Sequence, residues 1–299
     1  MGLTRRRCLA LASAGGALAA MAPGCSLARR AGPRSGGTPR FGLVTWMWGA
    51  HLELPALVAT CEEAGLDGVE LRTTHRHGVE LLLSKAQRAE VRARFADSPV
   101  ELVGIGTDER FDSPEPNGLA SAVELTRLYL ELSRDVGGSG VKVKPDSFHE
   151  GVPRERTIAQ IASGLESLAP YAAELGQELR LEVHGTCSEL PTIRAILDRA
   201  PHPAVRVCWN SNATDLAGQG LEHNFGLVRE RFGATLHVRR LDSEGYPWGE
   251  LMRLLRETQW GGSVLLEQAG DAPADLVAAL REQRALFDRW NARTEGEDR

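Results

Sequence analysis

Cysteine is scarce in this chain and poorly placed for cross-linking. Of five, none forms a Cys-x-x-Cys pair. Cys8 and Cys25 fall in a leader-like segment, and the remaining Cys61, Cys187 and Cys208 are an odd number, which argues against a disulfide framework. A single Cys187–Cys208 bridge stays open. Neither sign of charge dominates: 35 basic and 40 acidic residues leave a formal net charge of -5, so nothing in the balance points to a nucleic-acid partner. No Gly-rich phosphate turn follows the first apolar run. Trp46-Met47-Trp48-Gly49 stands there instead, which counts against a doubly wound dinucleotide fold. No repeat at a solenoid period is visible. What the chain does have is 299 residues at 42% hydrophobic content, enough to bury a full-sized core without disulfides or a structural metal.

Residues 1–39 differ from all that follows. Arg5-Arg6-Arg7 precedes Cys8-Leu9-Ala10-Leu11-Ala12, then a small-residue run through Met21 and a break at Pro23-Gly24-Cys25. Basic, apolar and small regions in that order are the anatomy of a bacterial export signal that engages the membrane during export. Thr4-Arg5-Arg6-Arg7-Cys8-Leu9 resembles a twin-arginine signal, which implies a periplasmic protein. Ala22-Pro23-Gly24-Cys25 faintly resembles a lipoprotein cleavage box, but Pro23 and the small residue at 22 argue against lipidation. Residues 29–39, rich in Arg, Gly, Pro and Ser, read as a linker, leaving 40–299 as one domain.

From Arg40 onward, strand-length apolar runs alternate with longer amphipathic segments. Strands are expected at 41–47, 68–72, 100–105, 140–144, 179–183, 205–209, 235–239 and 263–267. Helices are expected at 53–64, 84–96, 119–135, 155–175, 189–199, 221–232, 248–258 and 273–290. Gly65, Gly176 and Gly233 follow helices as C-caps should. Eight of each in strict alternation give an α/β fold, a single (β/α)8 TIM barrel.

Four of the last strands end in a potential metal ligand: Glu182, Asn210, His237 and Glu267. The intervals between them are 28, 27 and 30 residues, the size of a βαβ unit. Strand parity sends all four inward. Leu179, Leu181 and Val183 face the helices while Arg180, Glu182 and His184 face the lumen. By the same alternation His237 and Arg239 point in, Glu267 points in above Leu265 and Ser263, and Cys208, Asn210 and Asn212 point to the lumen and rim.

Other residues on this face admit two readings each. Glu182 and Glu267, as buried carboxylates, must pair either with a metal or with a lumen arginine such as Arg180 or Arg239. Glu70 and Arg72 share the lumen face of the second strand, either as a mutual ion pair or as groups that hold a substrate or orient a ligand. Lys142 and Lys144 face in from the fourth, and Lys144 either meets a hydroxyl or carboxylate or snorkels to the surface. Trp46, Trp48, Trp209 and Trp248 are candidates either for the flat wall against which a sugar packs or for core filling. His51, His75 and His77 lie on rim loops within reach of a polyhydroxylated ligand.

These residues carry a resemblance. Gly68-Val69-Glu70-Leu71-Arg72, Leu181-Glu182-Val183-His184-Gly185, Leu236-His237-Val238-Arg239 and Gly261-Gly262-Ser263-Val264-Leu265-Leu266-Glu267 make the chain similar, over about 40–292, to the xylose-isomerase-like TIM-barrel superfamily of sugar phosphate isomerases and epimerases. The resemblance implies one divalent metal ion (manganese, magnesium or cobalt, with zinc also compatible) on Glu, Asp, His and Glu, here Glu182, Asn210, His237 and Glu267. Asn210 departs from the pattern, as does Ala213 where the epimerases carry histidine. The implied activity is a metal-dependent isomerase or epimerase that removes a proton next to a polarised carbonyl, through an enediolate. Glu182 and Glu267 would act as acid and base, with His184 or Arg239 stabilising the oxyanion. Trp46, Trp48, Glu70, Arg72, His75, Lys144, Asn212 and Trp248 would contact a carbohydrate substrate. A lyase or hydrolase acting on an oxidised sugar is an alternative, as is a carbohydrate-binding barrel without turnover. The superfamily's DNA-cleaving branch needs further metal-binding histidines. Thr107-Asp108 after strand three, Ala213, and the absence of Asp-x-His beyond His237 exclude it.

Overall fold

Each strand here is buried on both faces, which is why the sequence reads as short apolar runs rather than as alternating ones. A computed structural model describes residues 37–292. The expected leader, the segment that resembles a twin-arginine signal, Cys25 and most of the expected linker therefore lie outside the described residues. Among the described residues, β1 (Arg40–Val44), β2 (Gly68–Arg72), β3 (Glu101–Arg110), β4 (Gly140–Lys144), β5 (Glu178–Glu182), β6 (Val205–Asn210), β7 (Phe232–Val238) and β8 (Ser263–Leu266) pair in parallel in sequence order. β1 also pairs with β8, which closes the barrel. Helices α1 (Leu54–Glu63), α2 (Lys85–Ala96), α3 (Gly118–Val136), α4 (Arg154–Glu174), α5 (Leu190–Arg199), α6 (Leu221–Val228), α7 (Trp248–Glu257) and α8 (Leu276–Ala292) follow the strands in turn. The chain is a single (β/α)8 barrel.

Local signals explain the helix ends. Ser84 and Gln87 form a reciprocal capping box at the start of α2, and Pro55 and Pro191 stand in the first turns of α1 and α5, where the missing N–H costs nothing. Gly65 and Gly176 take φ of 72° and 65° just beyond α1 and α4, a backbone that other residues resist. Gly233 does not. It lies inside β7, because α6 stops at Val228 and the short 3-10 turn Arg229–Arg231 intervenes. A side chain there would press on Glu178 Oε2 at 3.0 Å.

Two other boundaries shift with consequences. β1 ends at Val44, and Met47–Gly49 forms a 3-10 turn, so alternation cannot be carried through Trp46 and Trp48. β3 runs on to Arg110, lifting Asp108 to the rim beside β4. Cys61, Cys187 and Cys208 are buried free thiols, so no Cys187–Cys208 bridge forms.

The strand faces turned toward the helices make the main core. Leu179, Leu181 and Val183 are fully buried, as are Val205, Val207 and Trp209. Burying each such side chain contributes roughly 1.5–3 kcal/mol. Phe41 of β1 stacks on Phe287 of α8 at 5.0 Å, fastening the last helix over the closing seam. Inside the barrel, Val44, Val103 and Leu265 form a small separate apolar cluster.

Candidate active site

A polar tier occupies the lumen at the C-terminal ends of the strands. Glu182, His237 and Glu267 are all buried there, and one donor atom from each lies within 4.8 Å of the others. His237 organises the group. Its Nε2 lies 3.1 Å from Glu70 Oε1, and a carboxylate can only accept, so Nε2 carries the hydrogen. Its Nδ1 faces Glu182 Oε1 at 3.4 Å and Glu267 Oε2 at 3.3 Å without making a hydrogen bond among the described residues.

Each glutamate divides its oxygens. Glu182 turns Oε1 toward His237 and Oε2 toward Lys142 Nζ at 2.7 Å, a close ion pair whose angle is too oblique for a well-aimed hydrogen bond. Glu267 turns Oε2 toward His237 and Oε1 toward Arg72 NH1 at 3.7 Å. Asn210 spans the pair, its Nδ2 donating to Glu182 Oε1 at 2.9 Å and to Glu267 Oε2 at 3.4 Å.

The charges follow from these contacts. Burial opposes ionisation of Glu70, Glu182 and Glu267, yet each carboxyl is held below its usual range, Glu182 well below. On Glu182 the Lys142 ammonium acts most strongly and His237 next; on Glu70 and Glu267 His237 leads and Lys142 adds to it. Burial likewise opposes a proton on His237, but Cys208, Glu70 and Glu267 raise the imidazole well above its ordinary value. Because burial keeps Cys208 itself a neutral thiol, the carboxylates carry that effect.

This donor set fits a divalent ion at three of its four expected positions. Donors about 2.0–2.2 Å from an ion stand about 3.0–3.5 Å from one another, which matches the spacing around His237 Nδ1. The bond from Nε2–H to Glu70 is the orienting contact that metal-ligating histidines ordinarily make. Asn210 is the departure. It presents amide hydrogens to the carboxylates, and half a turn about its last torsion would present oxygen instead.

Above this tier opens a cavity of about 560 Å³, walled by Trp46, Arg72, His75, Lys144, His184 and Arg239 among others. Lys144 Nζ reaches Asp108 Oδ1 at 2.6 Å; burial and the neighbouring Lys142 pull the ammonium below the ordinary lysine range. His184 Nδ1 bonds to Asp146 Oδ1 at 2.7 Å, and Asp146 is also paired with Arg110. Asn212 lines the cavity but spends its amide hydrogens on the carbonyls of Val183 and Asn210.

Other sequence candidates lie elsewhere. Trp48 and Trp248 are buried in the hydrophobic core rather than on the cavity wall. Trp48 belongs to the 3-10 turn that follows the early end of β1. Trp248 begins α7, rests on Tyr246 and donates to the Ser243 carbonyl. Glu70 is wholly buried and touches His237 instead of the cavity. It makes no ion pair with Arg72, which turns to Glu267 and Asp108. Arg180 pairs with Glu178. Both ring nitrogens of His77 are committed to backbone, Nδ1 accepting from Val79 and Nε2 meeting the Arg72 carbonyl; burial takes its pKa down to about 4.

Lys142, Asp108 and Asp146 were absent from the sequence-derived site. Parity alone puts Lys142 in the lumen, and its neighbour Lys144 lies one strand from Glu182, which was a usable signal. A buried pair behind the rim left none. Asp215 Oδ2 accepts from Tyr246 OH at 2.6 Å and from the Asn212 amide at 2.9 Å. Burial raises this carboxyl to about 7 although those two bonds and Arg239 oppose the shift.

The fold has many counterparts. The apo crystal structure of 3-keto-D-glucoside 4-epimerase from E. coli superposes with a TM-score of 0.71 at 16% identity, over 84% of this chain and 99% of that one. An L-ribulose 3-epimerase gives a TM-score of 0.71 at 16% identity, over 85% and 94%. A probable 3-DHS dehydratase from Bacillus anthracis gives 0.64 at 14% identity, over 83% and 98%. Comparison with curated protein sequences returned no match. The family model described as xylose isomerase-like TIM barrel matches residues 58–289, most of the chain, and to that family the chain belongs.

Proposed function

We propose that the protein is a divalent-metal-dependent isomerase or epimerase acting on a carbohydrate, with Glu182, His237 and Glu267 holding the ion and Asn210 as a fourth ligand through its carbonyl oxygen. The observation that carries this reading is the unpartnered, buried Nδ1 of His237, aimed between two glutamates at the base of an open cavity. The epimerases among the solved structures of the same fold support the substrate class. A bound divalent ion supplies Lewis-acid stabilisation of negative charge on a substrate oxygen.

The chain's own groups do the rest. Lys142 and His237 keep Glu182 and Glu267 ionised, so either can accept a proton from a carbon next to a carbonyl. Glu267 is the better placed: it is 9% exposed against 1% for Glu182, and its arginine stands off at 3.7 Å. Glu182, which lines the cavity, takes up a proton from solvent there and returns it on the opposite face while Glu267 gives up the one it removed, which gives epimerisation; return to the neighbouring carbon gives aldose–ketose isomerisation. Arg239 and His184, on the cavity wall, stabilise the oxyanion. Trp46 offers an apolar face to the sugar, while Arg72, His75, Lys144 and Asn212 supply polar contacts around it.

A second reading, a carbohydrate-binding barrel without turnover, draws on Asn210, whose amide already bridges the two glutamates. Solvent deuterium separates the two. Metal-replete enzyme in D2O should place label at the carbon beside the carbonyl of a turned-over sugar, tested across free and oxidised sugars. Stoichiometric carbohydrate binding with neither label nor product across that panel would sink the enzymatic reading. A product formed by loss of water would favour a lyase.

A further inference from the structure

A second cavity adjoins the first. It measures about 180 Å³ and is bounded by Met47, Ala50, His51, Asp271 and Ala272, together with Trp46 and His75. Trp46 and His75 also line the larger cavity, so these two side chains form the partition between a reaction chamber and an annex at the barrel mouth. The annex lies between the turn after β1 and the loop after β8.

Its wall is held in a strained form. Met47 adopts φ 44°, a left-handed backbone that long side chains disfavour. The Gly270 amide approaches its sulfur at 3.1 Å, linking the two loops. Strain of this kind persists only where the surroundings enforce it, and it gathers at ligand sites. Met47 is 37% exposed and offers an adaptable thioether surface. The lining as a whole is amphipathic: Trp46, Met47, Ala50 and Ala272 are apolar, while His51, His75 and Asp271 can meet hydroxyls or a polar edge. A ring-sized group with one apolar face suits such walls.

We infer that the substrate is a glycoside rather than a free monosaccharide, its reacting ring over Glu182, His237 and Glu267 and its ring-sized substituent in the Met47–His51–Asp271 annex. The inference rests on the sugar-active reading above and narrows it. A glycosidic bond locks the anomeric carbon, so the carbonyl beside which Glu267 works must lie on a ring carbon. The substrate is then an oxidised glycoside, and a dehydrogenation of a secondary ring hydroxyl must supply it. Epimerisation moves one proton off carbon and one back on the opposite face, with no net redox change.

Calorimetry on the metal-replete full-length chain tests this, with ring-oxidised 4-nitrophenyl glycosides, their methyl counterparts and the free sugars as probes. The 4-nitrophenyl members should bind about tenfold more tightly than the methyl members. Ala272→Trp, at an exposed position outside helices and strands, should erase that advantage while leaving methyl-glycoside affinity and metal content unchanged. Ala50→Trp fills the annex from the other side and should do the same. Equal affinity for the two series, or equal loss for both in the filled variants, overturns the annex. Turnover of free sugars with exclusion of glycosides overturns it too and leaves the broader reading standing. No binding or turnover by any probe overturns both.

Discussion

Glu70 and His237 meet in the middle of the barrel, 167 positions apart in sequence, with Nε2 and Oε1 separated by 3.1 Å. The contact holds a hydrogen on Nε2, and so leaves Nδ1 as the nitrogen that faces the glutamates. A carboxylate that never reaches the cavity thereby decides what the cavity can hold.

Glu70→Gln should expose that dependence. A glutamine can offer its amide hydrogens to Nε2, which pushes the imidazole hydrogen onto Nδ1 and blocks the ligand position. Losing such an orienting partner typically costs about 10–100-fold in metal affinity. Calorimetric titration with manganese on dialysed protein should show a loss in that range. Unchanged affinity would remove Glu70 from the metal centre.

Asn210→Asp should have opposite effects with and without metal. In the metal-free protein it replaces a donor shared by Glu182 and Glu267 with a third carboxylate. Repulsion of about 1 kcal/mol would lower Tm by roughly 2–4 °C. With a divalent ion bound, the added charge should tighten binding, whereas His237→Ala should weaken it. If all three proteins bind the ion equally, the ligand assignment is wrong.

Asp215 should tilt the pH dependence of stability. Its folded pKa stands at about 7, against an unfolded value of about 3.9. Between those values the folded state holds a proton that the unfolded state has released, so stability falls as pH rises through the window. Asp215→Asn should flatten that slope, an effect on the order of a few kcal/mol across it. Denaturant midpoints from pH 4 to 7 would show it, and a variant whose slope equals that of the parent would count against the buried neutral carboxyl.

The proposed leader makes a prediction independent of the barrel. Changing Arg5 and Arg6 together to Lys should retain the protein in the cytoplasm if Thr4 to Leu9 acts as a twin-arginine signal. Fractionation with unchanged export would point to general secretion, or to a signal that uses Arg7.

The barrel and the candidate ligands were readable from sequence for one physical reason. A parallel strand buried on both faces shows as an apolar run, and a polar group at its end is too costly to bury without a purpose. Glu182, His237 and Glu267 stand out on those grounds, and parity places them inward. The strand pattern misleads at Trp48, where β1 has already ended, and the C-cap reading fails at Gly233, where β7 begins sooner than the helix pattern suggests. Parity turns Lys142 inward, but its pairing with Glu182 shows only when β4 and β5 lie side by side. Asp215 and Tyr246 sit on separate loops, and no periodicity links them. The role of Glu70 needed its partner's position, which only the closed barrel supplies.

Closure between β1 and β8 also sorts the charges by half. The imidazole and the two cavity glutamates belong to β5–β8, while Lys142 and Arg72, the cations that offset those glutamates, belong to β2 and β4. Neither half is self-sufficient, so a barrel rebuilt from two copies of the second half would gather four glutamates with none of those cations. The present chemistry therefore draws on both halves: the second supplies the candidate ligands, and the first supplies the ammonium that faces one glutamate and the guanidinium that faces the other.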